Sequence, residues 1–217
     1  MNIKLNIPYS NKDKLKKYKI KWNNDYKIWY LEDYRNLTYL IDYLENRNFT
    51  IYVTEKLYIV EGFITCWKCS KMISVYAFGA LKSSFLDCEK KYWKFNSKFK
   101  MIWNILSYSQ ELESILKKNN MKISYSNTTK SYYLMNICQN CQAKQGEFFL
   151  FNEIDSIFSP NSVNEAKRLK IYEIPLLFDI GFEGEFTEIF STNCSDINAL
   201  IWFNAEHKTN LTYNINY

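Results

Sequence analysis

Histidine is almost missing from this chain of 217 residues: His207 is the one example. Any Ser/His/Asp triad or multi-histidine metal centre would have to pass through it, which disfavours several enzyme classes. Glycine (5) and proline (3) are scarce as well. That excludes a disordered, collagen-like or linker-rich chain and leaves little material for a phosphate cradle. No Walker signature, nucleophile elbow or H-E-x-x-H motif occurs, and Gly181-Phe182-Glu183-Gly184 reads as a turn. No run of about 18 apolar residues exists, and Met1 to Asn6 interrupts its apolar residues with polar ones. Neither a signal peptide nor a membrane span is therefore expected, and the chain reads as cytosolic, where cysteines serve as thiols or metal ligands rather than disulfides.

What is present is aromatic and unevenly charged. Tyr 18, Phe 15 and Trp 6 make 18% of the chain. At 26.1 kDa the length suits one large domain or two small ones. The net charge of +5 conceals an asymmetry. Residues 1–150 carry 24 Lys/Arg against 13 Asp/Glu, a net of +11; residues 151–217 carry 4 against 10, a net of −6. A basic body suggests an anionic partner, above all nucleic acid, with a solvated lysine surface as the plainer alternative.

The first fifty residues read as one unit. Ile3, Leu5 and Ile7 alternate with polar residues as in a half-buried strand, which Pro8 ends. Ser10 to Asp13 offers a helix start, followed by a short lysine-rich helix around Leu15 and Tyr18. Residues 20–31 form a hairpin turned by Asn23-Asn24-Asp25, and Leu37, Leu40, Ile41 and Leu44 recur at helical spacing. The order is strand, helix, hairpin, helix. Trp22 and Trp29 fall on adjacent hairpin strands. They either pack in the core or offer a base-stacking platform among Lys19, Lys21 and Lys27, and one ring facing in with the other out satisfies both.

The string Lys19-Ile-Lys21-Trp22-Asn23-Asn-Asp-Tyr-Lys27-Ile-Trp29-Tyr30-Leu, preceded by Asn6-Ile7-Pro8-Tyr9, resembles a small uncharacterised module with the pattern L-x-V-P-Y/F … G-A-x-W-D/N-x-x-x-K-x-W-Y. That module occurs in plasmid- and phage-borne proteins beside DNA-processing domains. The hairpin followed by Leu31-Glu32-Asp33-Tyr34 also resembles the HepA-related (HARP) module of annealing helicases, which engages branched DNA. The resemblance covers residues 2–47 and departs from the pattern at Tyr18-Lys19-Ile20, where the module has a Leu-Gly-Ala turn. It implies the module's fold more firmly than any particular contact; the residues expected to touch nucleic acid are Lys19, Lys21, Trp22, Lys27, Trp29 and Tyr30.

Cys66-Trp67-Lys68-Cys69 and Cys138-Gln139-Asn140-Cys141 carry the strongest chemical signal. Each C-x-x-C places two thiolates on a tight knuckle, and two knuckles complete a tetrahedral Cys₄ zinc site. The spacer, Ser70 to Ile137, is 68 residues. This exceeds the roughly 15–20 of a compact ribbon, yet loop-closure entropy grows only slowly with length. A redox dithiol would call for a strand followed by a helix N-terminus, which neither pair shows. Four thiolates leave no open position for a catalytic water, so the site predicts structural Zn²⁺.

Cys88 and Cys194 read as buried or incidental thiols and His207 as a surface residue; Asp179, Glu183, Glu185 and Glu188 read as a solvated acidic face. Further expectations are strands over 51–65, 121–125, 131–137, 147–151 and 176–182, helices near 103–118 and 164–169, and a frayed polar tail. The expected architecture is α+β: a strand–helix–hairpin–helix module over residues 1–50, and a zinc-ribbon-centred, β-rich domain over 51–217 with a partly helical insertion at 70–137. The expected function is non-enzymatic nucleic-acid binding by an accessory protein of a mobile element or phage. A protein-interaction module, such as an inhibitor of a host defence enzyme engaged through the acidic C-terminal third, is the alternative.

Overall fold

Alternation at the N-terminus produces a strand, β1 (Ile3–Leu5), whose Ile3 and Leu5 are buried. The computed structural model describes residues 1–87, 92–153, 156–187, 196–209, 213, 215 and 217. Pro8, at φ −60°, leads into a 3₁₀ turn (Tyr9–Asn11), the one-turn helix α1 (Lys12–Leu15) and a second 3₁₀ turn (Lys16–Tyr18). Strands β2 (Ile20–Asn23) and β3 (Ile28–Leu31) form the expected hairpin, and the sheet order is β1-β3-β2. The Asn23 side chain closes the turn by accepting from the backbone N–H groups of Asp25 (3.0 Å) and Tyr26 (3.1 Å).

The second helix of this unit differs from expectation. Residues Tyr34–Tyr43 form a 3₁₀ helix, capped by Asp33. Tyr34, Leu37, Leu40 and Tyr43 recur every three residues, which is the repeat of a 3₁₀ helix and lines them up on one face. Leu37 and Leu40 are fully buried against Ile3, Leu31 and Leu15. The same apolar cluster takes in Phe49, Tyr52 and Trp93, so the module packs directly on the edge of the main sheet.

The chain then runs through β4 (Ile51–Val53), β5 (Lys56–Thr65), β6 (Met72–Ala80), β7 (Ser83–Asp87), β8 (Tyr92–Asn96) and β9 (Lys100–Tyr108). A 3₁₀ turn and helix α2 (Glu113–Lys118) follow, then β10 (Met121–Ser126), β11 (Ser131–Ile137) and β12 (Lys144–Gln145). The remainder supplies α3 (Val163–Ala166), β13 (Lys170–Pro175), β14 (Ile180–Phe186), α4 (Ile197–Asn204) and β15 (Glu206–Thr209). Nine strands make one sheet in the order β15-β13-β5-β6-β9-β14-β4-β7-β8, and β10-β11-β12 form a second. The architecture is α+β with strands dominant. Two buried clusters form its core, one containing Val60, Val75, Phe158 and Ile171 and the other Ile59, Phe78, Ile102 and Phe182.

Five expectations give way. Gly181 to Gly184, expected as a turn, lies inside β14, and of the strand expected over 176–182 only residues 180–182 are strand. Residues 103–108 belong to a strand, and the helix begins only after Ser109. Asn104 adopts φ 48° at a bulge where β9 shifts register against β14. The bulge brings Ile102 and Ile105 to the core together, so a strand displays the three-residue spacing of a helix. Residues Phe148–Asn152 form a π-helical turn rather than a strand, with Leu150 and Phe151 buried as neighbours and Phe148 and Phe149 exposed. Two described residues of the tail expected to fray are held in place: Tyr213 is buried and donates to Asn119 Oδ1 (2.8 Å), and the Tyr217 hydroxyl accepts from Leu177 N–H (3.0 Å).

Candidate metal centre and basic aromatic cleft

The two C-x-x-C pairs occupy equivalent turns. Cys66 to Lys71 joins β5 to β6, and Cys138 to Ala143 joins β11 to β12. In each, the first cysteine's N–H donates to the carbonyl five residues on, Cys66 to Lys71 (2.9 Å) and Cys138 to Ala143 (2.9 Å). In each, its own carbonyl accepts from the residue after the second cysteine, Ser70 (2.9 Å) and Gln142 (3.0 Å). Those two residues are left-handed, at φ 57° and 60°. The long spacer is thus no floppy excursion: it contains β6 to β11, and the fold itself carries the second knuckle to the first.

The four sulfurs lie within 4.8 Å of one another, with Cys66–Cys141 and Cys69–Cys138 each at 3.7 Å. Sulfurs bound at about 2.3 Å to one tetrahedral ion stand about 3.8 Å apart, close to the 3.7 Å of these two pairs. Cys66 and Cys138 are buried while Cys69 and Cys141 are partly exposed. Gln145 Nε2 donates to Cys66 Sγ (3.5 Å). At Cys66, burial opposes ionisation, but the N–H groups of Cys69 and Lys68 and the neighbouring thiols outweigh it and bring the thiol down to about 6. At Cys141 the Ala143 N–H favours the thiolate, yet burial and the other three thiols push it up to about 12. Four thiolates this close together would repel, and a cation among them would offset that repulsion.

Among the described residues no other group of three or more His, Cys, Asp or Glu side chains converges in this way. Cys88, Cys194 and Glu188 lie outside the described residues. Asp179 departs from the expected solvated face: it is 3% exposed, accepts from Asn2 N–H (2.9 Å), and burial pushes its carboxyl up to about 6. His207 is exposed, and its ring nitrogen donates to the Trp202 carbonyl (2.7 Å). Among the described residues no helix is long and apolar enough to cross a membrane.

A second feature lies in the N-terminal module. A cleft of about 910 Å³ is lined by Tyr9, Lys12, Lys16, Trp22, Lys27 and Trp29 among others. Trp22 and Trp29 are direct cross-strand partners, with ring centroids 5.1 Å apart and tilted by 58°. Trp29 is partly buried against the module core, while Trp22 stays 43% exposed and donates from its indole to Asn24 Oδ1 (3.0 Å). Tyr9 is 76% exposed, with the Lys12 ammonium 3.6 Å from its ring centre. The cleft therefore unites Trp22, Lys27 and Trp29 of the residues singled out in sequence. It does not include the other three. Lys21 and Tyr30 pair with each other on the opposite face of the sheet, where Lys21 meets Glu32 (2.6 Å) and Tyr30 packs edge-on against Phe178. Lys19 sits at the end of the helical turn with φ 59°. Tyr9, Lys12 and Lys16 were missed, although the Pro8-Tyr9 that precedes the helix start marks where that wall begins.

Comparison with protein-family models, curated proteins and solved structures returns no match for this chain.

Proposed function

We propose that this chain is a non-enzymatic nucleic-acid-binding protein whose body is held together by one structural Zn²⁺. The observation that carries the reading is the cleft in which lysines and aromatic rings share one surface. Phosphates take up lysine charge and bases take up aromatic faces, and few other ligands want both. Lys19 adds support for the module resemblance, since it adopts a left-handed backbone at the position where the module pattern carries glycine. Cys66, Cys69, Cys138 and Cys141 would hold the zinc, an all-thiolate tetrahedral set being characteristic of closed structural sites.

A gel-shift titration of the whole chain tests the first half. Binding should be strongest at low salt and weaken steeply as salt rises; no binding at low salt overturns it. Elemental analysis tests the second, with about one Zn per chain expected. A coloured, iron-loaded protein would overturn the choice of metal.

A further inference from the structure

The cleft's shape says which nucleic acid it takes. Resting on the reading above, we propose that it receives an unpaired nucleotide: a base laid on Trp22 and Tyr9, with its phosphates beside Lys12 and Lys27. Three observations converge. The space is concave and about 910 Å³, within the roughly 300–1,000 Å³ of small-ligand clefts. A duplex presents phosphates and groove edges, and its base faces are covered by their neighbours, so exposed ring faces inside a recess gain nothing from it. An unpaired base offers its whole face.

The rings are placed for that use. Trp29 packs against Trp22 with the ring planes tilted by 58° rather than stacked, and both rings line the recess, so an indole face is not closed off by its neighbour. The Trp22–Asn24 hydrogen bond fixes the orientation of that ring. Tyr9 is the most exposed aromatic lining the cleft, and the Lys12 ammonium already lies over it at 3.6 Å. The charges sort themselves too. Lys4 pairs with Glu111, Lys16 with Asp13 (2.7 Å), and Glu45 accepts from the Gln110 N–H (2.9 Å). Asp13 is bridged by Lys16 and only feels the Lys12 charge from further off, and no carboxylate forms an ion pair with Lys12 or Lys27 among the described residues, which leaves two cations at the cleft for two phosphates of one strand.

Fluorescence anisotropy with the full chain decides the matter, using a short labelled oligothymidylate and a blunt duplex of two annealed strands carrying the same number of phosphates. The single strand should bind at least about tenfold more tightly and quench tryptophan emission. Trp22→Ala should weaken single-strand binding by roughly five- to 150-fold, the equivalent of about 1–3 kcal/mol per stacked base, and leave the duplex unaffected. Trp22→Phe, which keeps a ring and guards against a folding artefact, should retain most of the affinity. Lys12→Ala with Lys27→Ala should weaken both probes and flatten the salt dependence. Equal affinity for both probes, or a single-strand preference that survives Trp22→Ala and Tyr9→Ala, overturns the unpaired-nucleotide assignment while nucleic-acid binding stands. Absence of binding to either probe at low salt overturns the underlying reading instead.

Discussion

Ser70 and Gln142 occupy the same place in two unrelated turns: each follows the second cysteine of its pair, each is left-handed, and each donates its N–H to the carbonyl of the first cysteine. A left-handed backbone costs a non-glycine residue about 1–2 kcal/mol. The knuckle geometry is therefore held by its hydrogen bonds and by the sulfur cluster against a local conformational preference. Ser70→Gly should raise stability by up to about 1 kcal/mol, after allowing for the greater freedom glycine has when unfolded. Ser70→Val, which is β-branched, should lower it by a similar or larger amount. Denaturant titrations of the metal-loaded chain read both.

Metal removal should act on folding itself. Cys66 and Cys138 are buried in the cluster that also holds Ile73, Val75 and Phe151, so the knuckles are part of the core rather than an appendage. Binding free energy for a structural zinc is on the order of 10 kcal/mol, which exceeds the usual margin of a domain. A strong chelator, or Cys138→Ser, should therefore abolish cooperative thermal unfolding or lower Tm by tens of degrees. An unchanged melting curve after verified metal loss would sink the structural role.

Glu147 gives a pH dependence with a definite sign. Burial pushes its carboxyl up to about 8; the Asn104 N–H, donating to both its oxygens at 2.9 and 3.0 Å, pulls the other way, and Glu185 adds to the rise. Between the unfolded value of 4.5 and about 8, the unfolded chain has released this proton and the folded chain keeps it. The unfolded state binds fewer protons there, so this group's contribution to stability falls as pH rises through that window and levels off above it. Glu147→Gln removes the loss and keeps an acceptor for Asn104. The variant should match the parent near pH 5 and exceed it by a few kcal/mol at pH 8–9. The difference between the two proteins is the quantity to measure, because the thiols titrate identically in both.

The parts of the fold that were legible share a cause: their signals are local. Ile3, Leu5 and Ile7 alternate, Asn23 writes its own turn, and each C-x-x-C carries its knuckle with it. What stayed hidden depended on contacts distant in sequence. Strand residues Trp103, Ile105 and Leu106 read as the start of a helix because the bulge at Asn104 has its register set by β14, more than seventy residues away. Tyr213 looked like part of a frayed tail because its partner, Asn119, lies across the molecule. The candidate cleft was half legible. Trp22, Lys27 and Trp29 stand on the hairpin, but only folding shows that the 3₁₀ turn and α1 bring Tyr9 and Lys12 to the same recess. It also shows that the pleat turns Lys21 and Tyr30 to the other face.

The packing of the N-terminal module on the main sheet converges on Gly181. A side chain there would overlap the ring of Phe49, which is 2% exposed and belongs to the module's core cluster. Gly181 also donates its N–H to Ser109 Oγ (2.8 Å) and its carbonyl accepts from the Ser109 N–H (2.9 Å), so β14 is pinned and the backbone has no room to withdraw. Gly181→Ala should therefore cost about 1–3 kcal/mol through overpacking. If the cost arises at Phe49, Phe49→Leu should recover part of it in the double variant although it destabilises alone, a coupling that distant sites do not show. Strict additivity of the two substitutions in denaturant titrations would place the strain elsewhere and remove Phe49 as the contact that seats the module.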